Sequence, residues 1–201
     1  MKYLFLLFIF TSLLSCSSFK AERVGAKDAD EKGLEITDNW MSEDTRQTVK
    51  ELLKQMREHK GYKKYRARFR GEPKVFIGEV QNNTSEAYFP IGDLNDEFLT
   101  EISKTGEFIL IDAAAREKIL DEITYQNDGM VDPSTAKQIG QQIGADLMIF
   151  GSIYMKPEKR DGKKIKEYSV NLRMTDIQKG IEILRVRTKT YKYSDQSSFG
   201  W

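Results

Sequence analysis

The 201-residue chain holds one cysteine, Cys16, and one histidine, His59. A single cysteine can close no disulfide within the chain, and no Cys-x-x-Cys pair exists for zinc or redox chemistry. A lone histidine beside Lys60, with no carboxylate at ligand spacing, reads as a solvated side chain. The sequence also lacks a G-x-S-x-G nucleophile elbow and a phosphate-cradling glycine loop. Charge of one sign is missing too: 32 Lys and Arg face 31 Asp and Glu, a formal net charge of +1. No overall field draws the chain to nucleic acid, and no nucleic-acid partner is expected. No apolar run reaches the ~20 residues of a membrane-crossing helix. Carboxylates such as Asp93, Asp96 and Glu97 are plentiful, but acids early in a helix follow from capping and the helix dipole. These absences leave no catalytic residue, metal ligand or cofactor site to name. The expectation is a protein that binds and does not catalyse.

What is present begins at the first residues. Lys2 supplies a positive start, and Tyr3 to Leu14 is nearly unbroken Leu, Phe and Ile. A run of about a dozen residues is too short to cross a hydrocarbon core of roughly 30 Å. It reads as a cleaved signal peptide. Leu13-Leu14-Ser15-Cys16 resembles the lipobox of bacterial lipoproteins, in which signal peptidase II cuts before the cysteine. That resemblance implies cleavage between Ser15 and Cys16, and acyl groups on the sulfur and amine of Cys16. One myristoyl-length chain holds a membrane only marginally, so stable attachment needs at least two signals, which a triacylated cysteine would exceed. Ser17 follows Cys16, and no Asp stands there to suggest inner-membrane retention.

The chain divides into a signal peptide over 1–15, a lipidated cysteine with a flexible tether over 16–40, and one globular domain over 41–201. The tether is small, charged and mixed, without helical or strand periodicity, and stretched it would reach at most roughly 80 Å. Val49, Leu52, Leu53 and Met56 recur at i, i+3, i+4 and i+7 and predict a helix over 42–58. Ser42 is its expected N-cap and Gly61 its stop. Residues 60–71 alternate basic and aromatic side chains and read as a solvated connector, or as a face for an anionic envelope polymer.

Pro73 to Val80 predicts a buried strand, Gln81 to Pro90 a polar loop, and Ile91 to Lys104 a helix with Leu94, Phe98 and Ile102 inward. Phe108 to Ile111 predicts a second strand and Ala113 to Tyr125 a helix. Asp132-Pro133 opens another helix, which ends at Gly144. Leu147 to Tyr154 predicts a third, short strand. Tyr168, Val170, Leu172 and Met174 alternate with polar residues, as do Leu184, Val186 and Thr188 within 181–193. That pattern gives two antiparallel strands with one buried and one wet face. The fold class is α/β: a single mixed sheet of about five strands with a C-terminal antiparallel meander, packed by about four helices.

Three stretches carry a resemblance. They are Pro73-Lys74-Val75-Phe76-Ile77-Gly78-Glu79-Val80-Gln81-Asn82-Asn83-Thr84-Ser85-Glu86, then Gly106 to Asp112, then Ala136 to Gly140 running on to Gly144-Ala145-Asp146-Leu147-Met148-Ile149-Phe150-Gly151-Ser152-Ile153. From about residue 73 onward the chain resembles the LpoB family, outer-membrane lipoproteins that activate a bifunctional penicillin-binding protein. The resemblance implies a binding module without chemistry of its own, held to the periplasmic face of the outer membrane. It would reach through the peptidoglycan to a class A penicillin-binding protein and work as a monomer. The short tether departs from the long linker expected of the family.

Candidate contact residues are Arg173, Arg185, Arg187, Lys189 and Tyr191 on the wet face of the last hairpin, because Arg and Tyr are enriched at binding hot spots. Exposed strand faces are also charged simply to discourage aggregation. Asn82 and Asn83 belong either to a contact loop or to an ordinary turn. Other function classes remain open. One is a secretion or assembly subunit related to the curli secretion family, which would need long amphipathic strands. Others are a structural envelope lipoprotein and an enzyme acting on peptidoglycan.

Overall fold

The computed structural model describes residues 21–111 and 144–195. The expected cleavage and lipidation site at Ser15 and Cys16 and the helix over 113–125 lie outside them, as does all of the helix from 132 except Gly144.

Ser42–Glu58 forms the long helix (α2) that the apolar stripe requires, with Val49, Leu52, Leu53 and Met56 all buried. Its cap differs from expectation. Ser42 is the first helical residue, and Met41 precedes it as N-cap. The Asp44 carboxylate accepts the Met41 N–H at 2.9 Å, satisfying a donor the helix leaves unpaired. Nor does Gly61 end the helix. The chain turns at His59 and re-enters a helix, Lys60–Arg68 (α3), where a connector was expected. His59 is not simply solvated: its Nδ1 accepts the Gly61 N–H at 3.1 Å and caps α3. Gly61 is instead a packing glycine, since a Cβ there would stand 2.1 Å from the Ile183 carbonyl oxygen.

The expectation of a structureless tether over 16–40 also fails in part. Ala26–Ile36 is helical (α1) although none of its residues is buried. The ordered body starts before residue 41: Trp40 is buried against Phe89 and Tyr168, at ring distances of 5.3 and 5.1 Å.

The remaining elements are Lys74–Asn83 (β1), Ile91–Lys104 (α4), Ile109–Leu110 (β2), Leu147–Arg160 (β3), Lys163–Asp176 (β4) and Ile181–Asp195 (β5). They make one mixed sheet in the order β2-β1-β3-β4-β5, with β1 parallel to β2 and β3 and the rest antiparallel. The α/β class, the five strands and the C-terminal meander are as read from the sequence, and four helices lie among the described residues.

One face of the sheet packs on α2, α3 and α4. Val75, Ile77, Leu147, Ile149, Ile153, Tyr168, Val170, Leu172, Met174, Leu184 and Val186 meet Leu52, Leu94, Phe98 and Ile102 in a single core. Each such side chain contributes roughly 1.5–3 kcal/mol by leaving water. A bulge between Ile77 and Val80 interrupts β1. There the Asn95 side chain from α4 accepts the Val80 N–H at 2.8 Å, taking over a ladder bond.

The strands are longer than expected. β3 runs on from Tyr154 to Arg160, and β4 starts at Lys163, not 168. Asp161 and Gly162, both at positive φ, close a two-residue hairpin between them. Pro157 is tolerated because it lies past the end of β1, where β3 has become an edge.

Candidate functional site

Among the described residues the second face of the sheet is exposed along β4, β5 and β3 from Ser152 onward, while at the start of β3 Met148 is buried with Phe76 and Ile177 and Phe150 packs against them. Strand pairing lays the side chains of this face out in rows. Phe150 stands beside Arg173, and Arg173 beside Arg185. Next come Ser152, Asn171 and Arg187, then Tyr154, Ser169 and Lys189, then Lys156, Glu167 and Tyr191, and finally Glu158, Ile165 and Tyr193. All five hairpin residues predicted as contacts thus share this face. Arg185, Arg187, Lys189 and Tyr191 are exposed, and Arg173 is half-buried.

Pairing holds these groups in place. The Arg173 guanidinium lies 4.3 Å from the centre of the Phe150 ring, a cation–π contact. Burial and the neighbouring Arg185 charge both push Arg173 down from the usual arginine range. Arg185 grips Glu182 with two bonds, Nε to Oε1 at 3.0 Å and Nη2 to Oε2 at 2.7 Å. That grip lowers Glu182 and raises Arg185. Arg187 donates Nε–H to the Asn171 side-chain oxygen, and Lys189 pairs with Glu167 at 2.7 Å. Lys189 and Tyr191 together hold Glu167 below the usual glutamate range.

Three aromatic side chains and one aliphatic one complete the surface: Tyr154, Tyr191, Tyr193 and Ile165, each at least 43 % exposed. Sequence reading missed Tyr154, Ile165 and Tyr193. Extending the alternation two residues past Tyr191 would have found Tyr193. The other two needed the true length of β3 and β4.

Asn82 and Asn83 part company. Asn82 does turn work: its Oδ1 accepts the Thr84 N–H at 2.9 Å, and its amide reaches the Glu86 carbonyl oxygen at 3.3 Å. Asn83 pairs with Tyr154 across β1 and β3. Hydrogen bonds from Ser152 and Asn83 hold the Tyr154 phenol below its ordinary range. Asn83 therefore extends the open face to a fourth strand.

The far end of the opposite, helix-covered face carries a polar cluster. Lys166, almost fully buried, pairs with Asp38 at 3.0 Å and Glu86 at 2.7 Å. Lys164 and Ser194 also bond Asp38, and the Tyr168 hydroxyl donates to Glu86 at 2.8 Å. Burial pulls the Asp38 carboxyl up, but the bonds from Lys166, Ser194 and Lys164 outweigh it and hold it at about 2. Every group in this cluster is spoken for, so it reads as a fastening. Among the described residues no group of three or more His, Cys, Asp or Glu side chains could hold a metal ion, and no helix there is long and apolar enough to cross a membrane.

A family model for the peptidoglycan-synthase activator LpoB matches residues 44–186, which takes in the core, the bulge and most of the long hairpins. No curated protein matches the chain. Among solved structures, the C-terminal domain of LpoB from Salmonella enterica superposes with a TM-score of 0.53 at 13 % identity, over 73 % of this chain and 98 % of that one. The corresponding domain from Escherichia coli gives 0.48 at 13 % identity, over 76 % and 99 %. Lipoprotein GNA1162 from Neisseria meningitidis gives 0.47 at 14 %, over 63 % and 88 %. At such identities a structural likeness speaks to the fold alone, but the family match spans well over half of the sequence, and the chain belongs to the peptidoglycan-synthase activator LpoB family.

Proposed function

We propose that this chain is an envelope lipoprotein that docks on a class A penicillin-binding protein and stimulates its peptidoglycan synthesis. Cleavage behind Ser15 and lipidation of Cys16 hold it to the periplasmic face of the outer membrane. The observation that carries the reading is the open face of β3–β5, where arginines and tyrosines stand in fixed rows on a member of an activator family. Arg and Tyr supply binding energy at low entropic cost when neighbours already hold them. The bonds from Glu182, Asn171 and Glu167 do that here. The protein acts as a monomer and supplies a surface; the synthase supplies the chemistry.

Length alone could favour an assembly subunit, since β3, β4 and β5 have 14, 14 and 15 residues. Their extensions carry Lys156, Glu158, Lys159, Lys164 and Glu167 on both faces, so no lipid-facing apolar band forms.

The test is polymerisation of lipid II by the organism's own class A synthase, with and without the chain. A saturable, dose-dependent rise supports the proposal, and no change with an active synthase refutes it. Replacing both Arg185 and Arg187 by Ala should cut the stimulation roughly tenfold, about 1.4 kcal/mol across two contacts. Folding stability should stay within about 0.5 kcal/mol, as expected for exposed side chains.

A further inference from the structure

Helix α3 carries Lys60, Lys63, Lys64, Arg66 and Arg68 and no acid. Beside it, where β4 turns into β5, lies an open groove of about 520 Å³ lined by Lys64, Tyr65, Arg68, Phe69, Lys179 and Ile181 among others. Volumes of this size are usual for ligand sites. Tyr65 and Phe69 stack along one wall, 5.4 Å between ring centres and 23° between planes. Ile181 is 54 % exposed across from them.

The charges here behave differently from those on the hairpins. The acids that reach the groove are already engaged: Asp176 by Lys179 at 2.7 Å, and Glu182 by Arg185 at 2.7 Å. Neither Lys64 nor Arg68 takes part in an ion pair among the described residues, whereas Lys156, Lys166, Lys189 and Lys192 on the sheet all do. The groove therefore holds uncompensated positive charge above a flat aromatic wall.

We propose that this groove binds the cell-wall polymer itself, a glycan strand bearing carboxylate-rich peptides. Lys64 and Arg68 meet the carboxylates, and the Tyr65–Phe69 wall takes the apolar face of a sugar ring. Two features favour a polymer over a protein surface. Lysine is depleted at the centres of protein interfaces, where arginine is enriched; α3 presents three exposed lysines in nine residues, in no ion pair among the described residues, whereas the two exposed lysines of the open sheet face, Lys156 and Lys189, are both paired with glutamates. Lys60, Lys64 and Arg68 follow one another at i, i+4 and i+8 along one side of the helix, ~12 Å of axis, which suits a repeating polyanion better than a single carboxylate. This reading rests on the envelope location proposed above but not on contact with the synthase, and the two bindings can fail separately.

The experiment is co-sedimentation of residues 17–201, the chain without its lipidated cysteine, in detergent-free buffer with purified peptidoglycan sacculi. Three comparisons accompany it: sacculi whose carboxyl groups have been amidated, phosphatidylglycerol vesicles, and the K64E/R68E variant checked for folding by circular dichroism. We expect retention on untreated sacculi, a loss of roughly tenfold in K64E/R68E, and a similar loss for the unaltered chain on amidated sacculi. Added salt should weaken retention, because exposed charges are screened within about 10 Å at 0.1 M. Equal retention of chain and variant would overturn the proposal. So would equal retention on amidated sacculi, or binding to vesicles without binding to sacculi. Should K64E/R68E fail to fold, K64Q/R68Q and the amidated sacculi decide the matter. Synthase stimulation measured on the same variant should be unchanged.

Discussion

Asp38 shows how one residue couples the start of the ordered body to the end of the sheet. An aspartate titrates at 3.8 in the unfolded chain, and this one at about 2 in the fold. Its folded value is depressed, so the stabilisation is fully present above pH 4 and disappears as pH falls through 2. The shift amounts to about 2 kcal/mol. Asp38→Asn should therefore lower the melting temperature at pH 7 and flatten the acid limb between pH 4 and 2, measured by thermal unfolding across that range. A variant with an unaltered acid limb would show that the three bonds to Asp38 add nothing net. Trp40, two residues on, works through packing. Its indole N–H donates to the Thr45 hydroxyl at 2.8 Å while the rings rest on Phe89 and Tyr168. Trp40→Ala should cost about 3–5 kcal/mol, read as a shifted urea midpoint.

Between elements, α3 meets β5 backbone to backbone. Gly61 lets the helix backbone approach Ile183 so closely that an added Cβ would overlap its carbonyl oxygen. Gly61→Ala should destabilise by about 1–3 kcal/mol, because backbone atoms on both sides cannot yield. Gly92 on α4 is the matched control. Nothing stands within 4 Å of its added Cβ, so Gly92→Ala should be neutral or stabilising by up to about 1 kcal/mol. Chemical denaturation of the pair separates close packing from helix propensity. The same contact explains why α3 escaped sequence reading. Its basic and aromatic residues alternate without an apolar stripe, and only Tyr62 is buried. The helix exists because α2 and β5 hold it, with His59 as its cap.

Across the whole molecule, the helix at 26–36 shortens the reach of the tether proposed to start at Cys16. Eleven helical residues span ~16 Å, and the twelve others from Cys16 through Asp38 at most ~42 Å, so Cys16 can stand no more than ~60 Å from the fastening at Asp38. A fully extended tether over 16–40 would have reached roughly 80 Å. Since no residue of α1 is buried, deleting 17–36 should leave the unfolding midpoint and the stimulation of synthase in solution unchanged. Extending the deletion through Thr45 removes Asp38, Trp40 and the cap of α2 and should abolish cooperative unfolding. Calorimetry on the two truncations distinguishes a leash from a structural strap.

The sequence by itself determined the class of the fold, the core faces and the alternation of the last two strands. Periodicity of 3.6 or 2 in apolar residues is a local property, and Leu94–Phe98–Ile102 and Tyr168–Val170–Leu172–Met174 state it without ambiguity. The ordered stretches from Pro73 to Ile153 likewise led to the activator family. One further signal was legible and unused: Asp161-Gly162 is a strong two-residue hairpin turn, and it joins β3 to β4. The lengths of those strands were obscured because their outer halves carry Lys, Glu and Arg on both faces, which gives no periodicity to read. Only the tertiary structure decided what those charges do. Asp38 and Lys166 are 128 positions apart and nothing in their neighbours pairs them. The sheet brings them to 3.0 Å. It also sets Asn83 beside Tyr154 and leaves Lys64 and Arg68 above an aromatic wall. Long-range ion pairs and shared faces depend on strand register, and register is a property of the folded sheet.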